Sequence, residues 1–195
     1  MTIDKICVYC GSSDQAEATH LDAAATLGRL IADEGIGIVY GGGSAGSMGR
    51  LANGALERGG HVTGYIPGFM VDQEWAHHGI TELHIVEDMH QRKDKMIEGT
   101  DAVVALPGGC GTFEELFETI SLKRLGLYFG PIVLLNMDGF FDSFITLFDR
   151  CITDRFMAPR HRDTWLAVAR PDDVIPAIRN AAPWPKDARS FAALR

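Results

Sequence analysis

Short apolar runs alternate along this chain with longer stretches whose apolar residues recur at helical spacing. Lys5–Tyr9, Ile36–Tyr40, His61–Ile66, Glu82–Val86, Ala102–Leu106 and Pro131–Asn136 read as strands. His20–Glu34, Ser47–Arg58, Asp88–Glu98, Thr112–Leu125 and Phe140–Phe156 read as helices. In the first helix the period falls on Leu21, Ala24, Leu27, Leu30 and Ile31, and Gly35 closes it. Asp88 is placed to cap its helix and Gly99 to stop it. Phe69–Thr81 is irregular and polar, the pattern of a loop. Asp172–Asn180 predicts a last helix, and Ala181–Arg195, with Pro183, Trp184 and Pro185, reads as a poorly packed tail.

Apolar strands separated by helices of about a dozen residues predict a parallel sheet covered on both faces. The expected architecture is a single α/β domain over residues 1–180, a Rossmann-like doubly wound parallel sheet, with 181–195 as a C-terminal tail. Such sheets bind ligands at the carboxyl ends of their strands.

The unusual residues fall at that edge. Three of the predicted strands run into glycine clusters: Gly11 with Ser12 and Ser13, Gly41-Gly42-Gly43, and Gly108-Gly109 with Gly111 and Thr112. Glycine there lets backbone N–H groups come close to an anion, and the following helix points its positive end at the same place. Neither G-x-G-x-x-G nor G-x-x-x-x-G-K-[ST] occurs at these turns, which disfavours a dinucleotide or P-loop reading. Arg92 lies near the start of a helix that begins at the same edge, and Glu115 lies in the first turn of the helix after Gly108–Thr112. A cation and a carboxylate are thereby expected to face each other beside a phosphate cradle. Lys93 lies roughly 100° further around its helix and cannot repeat the contact of Arg92. Glu114 likewise faces another way from Glu115.

Charge narrows the partners. A formal net charge of −8 opposes a nucleic-acid backbone, so any phosphate must be held by local amides and a few placed cations. The amino terminus shows no basic segment followed by an apolar run, and nothing approaches the roughly 18 apolar residues of a membrane span. The expectation is a cytoplasmic protein with no membrane partner. Cys7 and Cys10 form a C-x-x-C without a second pair and read as buried thiols in a reducing setting. His77, His78 and His90 lack metal-ligand spacing and read as surface residues; no metal and no cofactor are expected. Asp138 suits a turn, and Trp75 suits packing, with cover for a base as the alternative.

The run PGGCGTFEE over Pro107–Glu115 fits the pattern PGGxGTxxE, and Arg92-Lys93 after Met89 fits its companion motif. Together with VYGGGSAGSMG and LLNMDGFFD, they make the chain resemble the LONELY GUY family of cytokinin riboside 5′-monophosphate phosphoribohydrolases, often labelled "possible lysine decarboxylase". The likeness runs from about Lys5 to Arg150. It implies hydrolysis of the N-glycosidic bond of AMP, or of an N6-substituted AMP, to free base and ribose 5-phosphate. It implies Arg92 and Glu115 as the catalytic pair. It implies substrate contacts from Glu74, Arg92, Lys93, Gly109, Cys110, Gly111, Thr112, Glu114, Glu115 and Ser121. Ser121 stands where the family has threonine, and TISLKRL lacks the tryptophan of plant members. The resemblance also implies a homodimer or higher homo-oligomer, for which the apolar positions of Phe113–Leu125 could serve.

The chemistry suits these residues. A carboxylate near the anomeric carbon stabilises an oxocarbenium-like state and can activate water, and an arginine can hold phosphate or ribose oxygens. Two rivals stand beside this reading. A non-catalytic nucleotide-binding or sensing module needs the glycine loops but not Glu115. A pyridoxal-phosphate decarboxylase needs a Schiff-base lysine, for which Lys93 and Lys123 are the nearby candidates.

Overall fold

The structure, a computed structural model, describes residues 2–73 and 75–193. Seven strands form one sheet: β1 (Lys5–Tyr9), β2 (Gly37–Tyr40), β3 (Val62–Pro67), β4 (Glu82–Val86), β5 (Ala102–Ala105), β6 (Ile132–Leu135) and β7 (Leu166–Val168). Their order is β4-β3-β2-β1-β5-β6-β7, and every pairing is parallel. The helices are α1 (Ala18–Asp33), α2 (Gly46–Leu56), α3 (Gly68–Val71), α4 (Met89–Ile97), α5 (Cys110–Arg124), α6 (Asp142–Thr153) and α7 (Val174–Asn180).

Side-chain alternation along each strand feeds two cores. Ile6, Val8, Ile38 and Val104 pack with Leu27 and Ile31 of α1, Leu51 of α2 and Ile178 of α7. Cys7, Tyr9, Val103 and Ile132 face the other way, toward Met96 of α4, Leu116 and Ile120 of α5, and Phe144 and Phe148 of α6. Both faces are covered, which is why the central strands carry almost no polar residue.

The chain winds outward from β1 to β4, then α4 carries it back across the sheet to β5, on the far side of β1. The connections leaving β1 and β5 diverge in opposite directions, and the crevice between their carboxyl ends is the topological switch point. The loops Cys10–Ser12 and Pro107–Gly109 stand there.

Several local readings differ from the sequence pattern. The segment expected as a loop contains α3 and then returns to pair Ala76 with Gly43. The helix expected from Phe140 starts at Asp142, because Met137–Gly139 form a 3-10 turn in which Asp138 adopts φ +50°. The Asn136 side-chain oxygen accepts the Phe141 N–H at 2.7 Å and fixes that entry. Strand β7 has only three residues, none fully buried, and carries no period. The tail expected to pack poorly is packed. The Trp184 Nε1–H donates to the Lys123 carbonyl at 2.8 Å, Ala188 is fully buried, and Arg124 reaches the Ala192 carbonyl. Among the described residues no helix is long and apolar enough to cross a membrane.

Candidate active site

A cavity of about 510 Å³ opens at the switch point. Its polar lining comes from Ser12, Gly109, Cys110, Gly111 and Thr112 with Arg92 and Glu115. Its apolar lining comes from Met48, Ile66, Met70, Trp75 and Met89, and the Met89 sulfur stands 3.9 Å from an Arg92 Nη. The first turn of the 15-residue helix α5 therefore aims its free N–H groups and its positive dipole end into the polar part.

Arg92 is delivered by α4, whose start is fixed by the Asp88 carboxylate accepting the Gln91 N–H at 2.9 Å. Its guanidinium is buried, 6% exposed, and held by backbone. The Nε–H donates to the Tyr65 carbonyl at the end of β3, and one Nη–H donates to the Gly41 carbonyl after β2, both at 3.1 Å. The other Nη stands 3.5 Å from a Glu115 carboxylate oxygen. A methyl group at Gly41 would overlap the Arg92 Nη, so glycine is required for this docking.

Glu115 is 3% exposed. Burial pushes its carboxyl up to about 7, against the pull of the Arg92 charge and with a further push from Glu114. The group is thereby poised near neutral pH, where a general base is most effective. Burial also pushes the Cys10 thiol well up, with the Glu115 charge adding to it. The thiol stays protonated and is a poor nucleophile.

The structure brings most of the expected residues together. Ser12, Gly43, Arg92, Gly109, Cys110, Gly111, Thr112 and Glu115 line the main cavity. Ser13 and Gly108 line an adjoining recess of about 360 Å³ that shares Gly11, Ser12 and Gly109 with it. Four residues are placed elsewhere. Gly42 adopts φ +74° and does not line the cavity, although its neighbour Ile66 does. Lys93 bridges α4 to α5 through Glu114 and Glu118, at 2.5 and 3.0 Å, so the Lys93 and Glu114 charges satisfy each other outside the cavity. Ser121 is exposed further along α5 and donates its hydroxyl to the Phe117 carbonyl at 2.8 Å. Glu74 lies outside the described residues. Sequence reasoning missed the methionine wall; Met48, Met70 and Met89 carry no periodic or motif signal, and only the folding of three separate segments assembles them. Among the described residues no group of three His, Cys, Asp or Glu side chains is arranged to hold a metal ion.

The family model described as "possible lysine decarboxylase" matches residues 48–178. A probable cytokinin riboside 5′-monophosphate phosphoribohydrolase of Oryza sativa subsp. japonica is 38% identical over 96% of this chain and 76% of its own. A cytokinin riboside 5′-monophosphate phosphoribohydrolase of Arabidopsis thaliana is 37% identical over 92% and 83%. The chain belongs to the cytokinin riboside 5′-monophosphate phosphoribohydrolase family. Among solved structures, the molybdenum cofactor carrier protein of Chlamydomonas reinhardtii superposes with a TM-score of 0.71 over 92% of this chain and 98% of its own. At 21% identity that likeness is one of fold. Neither of the two lysines weighed for the decarboxylase reading fits it. Lys93 is neutralised by two glutamates, and Lys123 is buried with its ammonium on the Gly130 carbonyl, 5.2 Å from the Trp184 ring centre. Neither lines the cavity.

Proposed function

We propose that this member of the phosphoribohydrolase family hydrolyses the N-glycosidic bond of AMP or an N6-substituted AMP, releasing free base and ribose 5-phosphate. The observation that carries the reading is the buried Glu115 carboxylate, facing the cavity beside Arg92 at the head of the glycine turn. The α5 amides of Gly109–Thr112, with Ser12, hold the 5′-phosphate. That anchor places the ribose over Glu115. As the bond to the base lengthens, its electron pair leaves with the base and positive charge grows on the ribose ring; the ionised Glu115 stabilises that charge and takes a proton from the attacking water, and that proton passes on to the base nitrogen, regenerating the carboxylate. Arg92 has two donors committed to backbone carbonyls, so it orients Glu115, holds its charge in the ionised state and presents its remaining N–H to a substrate oxygen.

The chain also reads as a cytoplasmic homodimer, with residues 1–180 as the nucleotide-binding domain. Its cysteines are all free thiols, which fits a reducing compartment. Phe117, Leu125, Leu127 and Phe129 stay exposed on and just after α5, an apolar surface suited to a second copy. Light scattering at micromolar concentration tests the dimer.

The activity is tested with AMP, N6-isopentenyl-AMP, GMP, CMP, adenosine and ATP as substrates, following free base and ribose 5-phosphate. The monophosphates of adenine are expected to be cleaved and adenosine is not. Absence of base release from both adenine monophosphates, or equal turnover of adenosine and AMP, overturns the reading.

A further inference from the structure

Trp75 is an apolar side chain with an unusual placement. It is 54% exposed, yet it lines the active-site cavity. An indole left half in water loses burial energy unless something else covers it. Its backbone is nonetheless tied down. The Trp75 N–H donates to the Met70 carbonyl at 3.3 Å, and the Trp75 carbonyl accepts from both the N–H and the hydroxyl of Ser44, at 2.9 and 3.2 Å. The following residues continue the seam, with Ala76 bridged to Gly43 and the His77 N–H on the Gly42 carbonyl at 2.9 Å. The segment is thus a strap sewn to the second glycine turn, and it holds the indole at the cavity mouth. Met70, whose carbonyl takes the Trp75 N–H, lines the same cavity with Met48 and Met89, and the three supply a soft, polarisable surface.

We propose that Trp75 is the base-specificity residue of this site: its indole stacks on the purine within the cavity it lines with Met70. This rests on the proposed activity and names the group that reads its substrate. A bicyclic purine overlaps the indole more fully than a pyrimidine ring does, so stacking favours AMP over CMP without any hydrogen bond to the base edge.

The other two tryptophans, Trp165 and Trp184, are buried and emit further to the blue, so the red edge of the emission, read against a Trp75→Phe control, reports the half-exposed Trp75. AMP is expected to quench it, and ribose 5-phosphate, which fills the same cradle without a base, is expected not to. Trp75→Ala is expected to raise KM for AMP by about 10-fold or more, the size alanine substitution gives for a stacked base, while kcat changes less. KM for CMP should rise less than that for AMP, so the preference for AMP narrows. Trp75→Phe should restore most of the loss, which separates stacking from a fold defect; the melting temperatures of both variants check the same point. Unchanged KM in Trp75→Ala, a parallel rise for AMP and CMP, or equal quenching by ribose 5-phosphate overturns the proposal. Failure of the wild-type protein to cleave either AMP or N6-isopentenyl-AMP is a different result and overturns the proposed activity instead.

Discussion

Replacing Glu115 by glutamine is expected to cut turnover severely and stabilise the fold, and the second effect should depend on pH. Glu115 is raised from 4.5 to about 7 in the folded protein, chiefly because burial penalises its charge. A carboxyl raised on folding contributes stability that is fully present below its unfolded value and is lost as pH rises through its folded value. At about 1.36 kcal/mol per pH unit, the ionised carboxylate costs the fold about 3 kcal/mol at pH 8. Glutamine has nearly the same shape and cannot ionise, so the variant escapes that cost. For a chain of this size the melting temperature should rise by about 6–12 °C at pH 8. At pH 5 the Glu115 carboxyl is largely protonated in the fold, and the gain should shrink to under about 1 kcal/mol. Thermal unfolding of both proteins at pH 5, 7 and 8, without nucleotide, measures this. Turnover of AMP should fall by about 10²–10³ while AMP binding persists. A melting temperature unchanged at pH 8, or raised equally at pH 5 and 8, refutes the electrostatic account. Retention of more than about a tenth of turnover refutes the catalytic one.

Three further outcomes are expected. Arg92→Ala should raise KM and lower kcat together, and the acid limb of its pH–rate profile should move to higher pH, because the Arg92 charge pulls the Glu115 carboxyl down; an unmoved limb argues against the pairing. Gly41→Ala places a methyl on the Arg92 Nη and should cut kcat/KM by about 10²-fold, as misplacement of a positioning group does, although Gly41 bears no reactive group; wild-type kinetics in this variant shows that Arg92 tolerates displacement. EDTA should leave AMP turnover intact, and loss restored by a divalent ion shows that the site has been misread.

The amino-acid sequence alone determined the alternation of strands and helices and the parallel sheet, because apolar runs and helical periods are local signals. It also placed the glycine turns after β1, β2 and β5, and it put Arg92 and Glu115 at one edge, because a helix in a parallel unit must start where the preceding strand ends. Weak local signals were lost: β7 is three residues long and exists through its pairing with β6, and Trp184 is a core residue only because α5 offers it the Lys123 carbonyl. The tertiary structure decided what each charged residue faces. Lys93 and Arg92 are neighbours in sequence, yet one is neutralised by Glu114 and Glu118 while the other is gripped by the carbonyls of Gly41 and Tyr65. It also decided the electrostatics of Glu115, since the rise of its carboxyl toward neutrality comes from burial, and burial is a property of how distant segments pack rather than of any residue's neighbours in the chain.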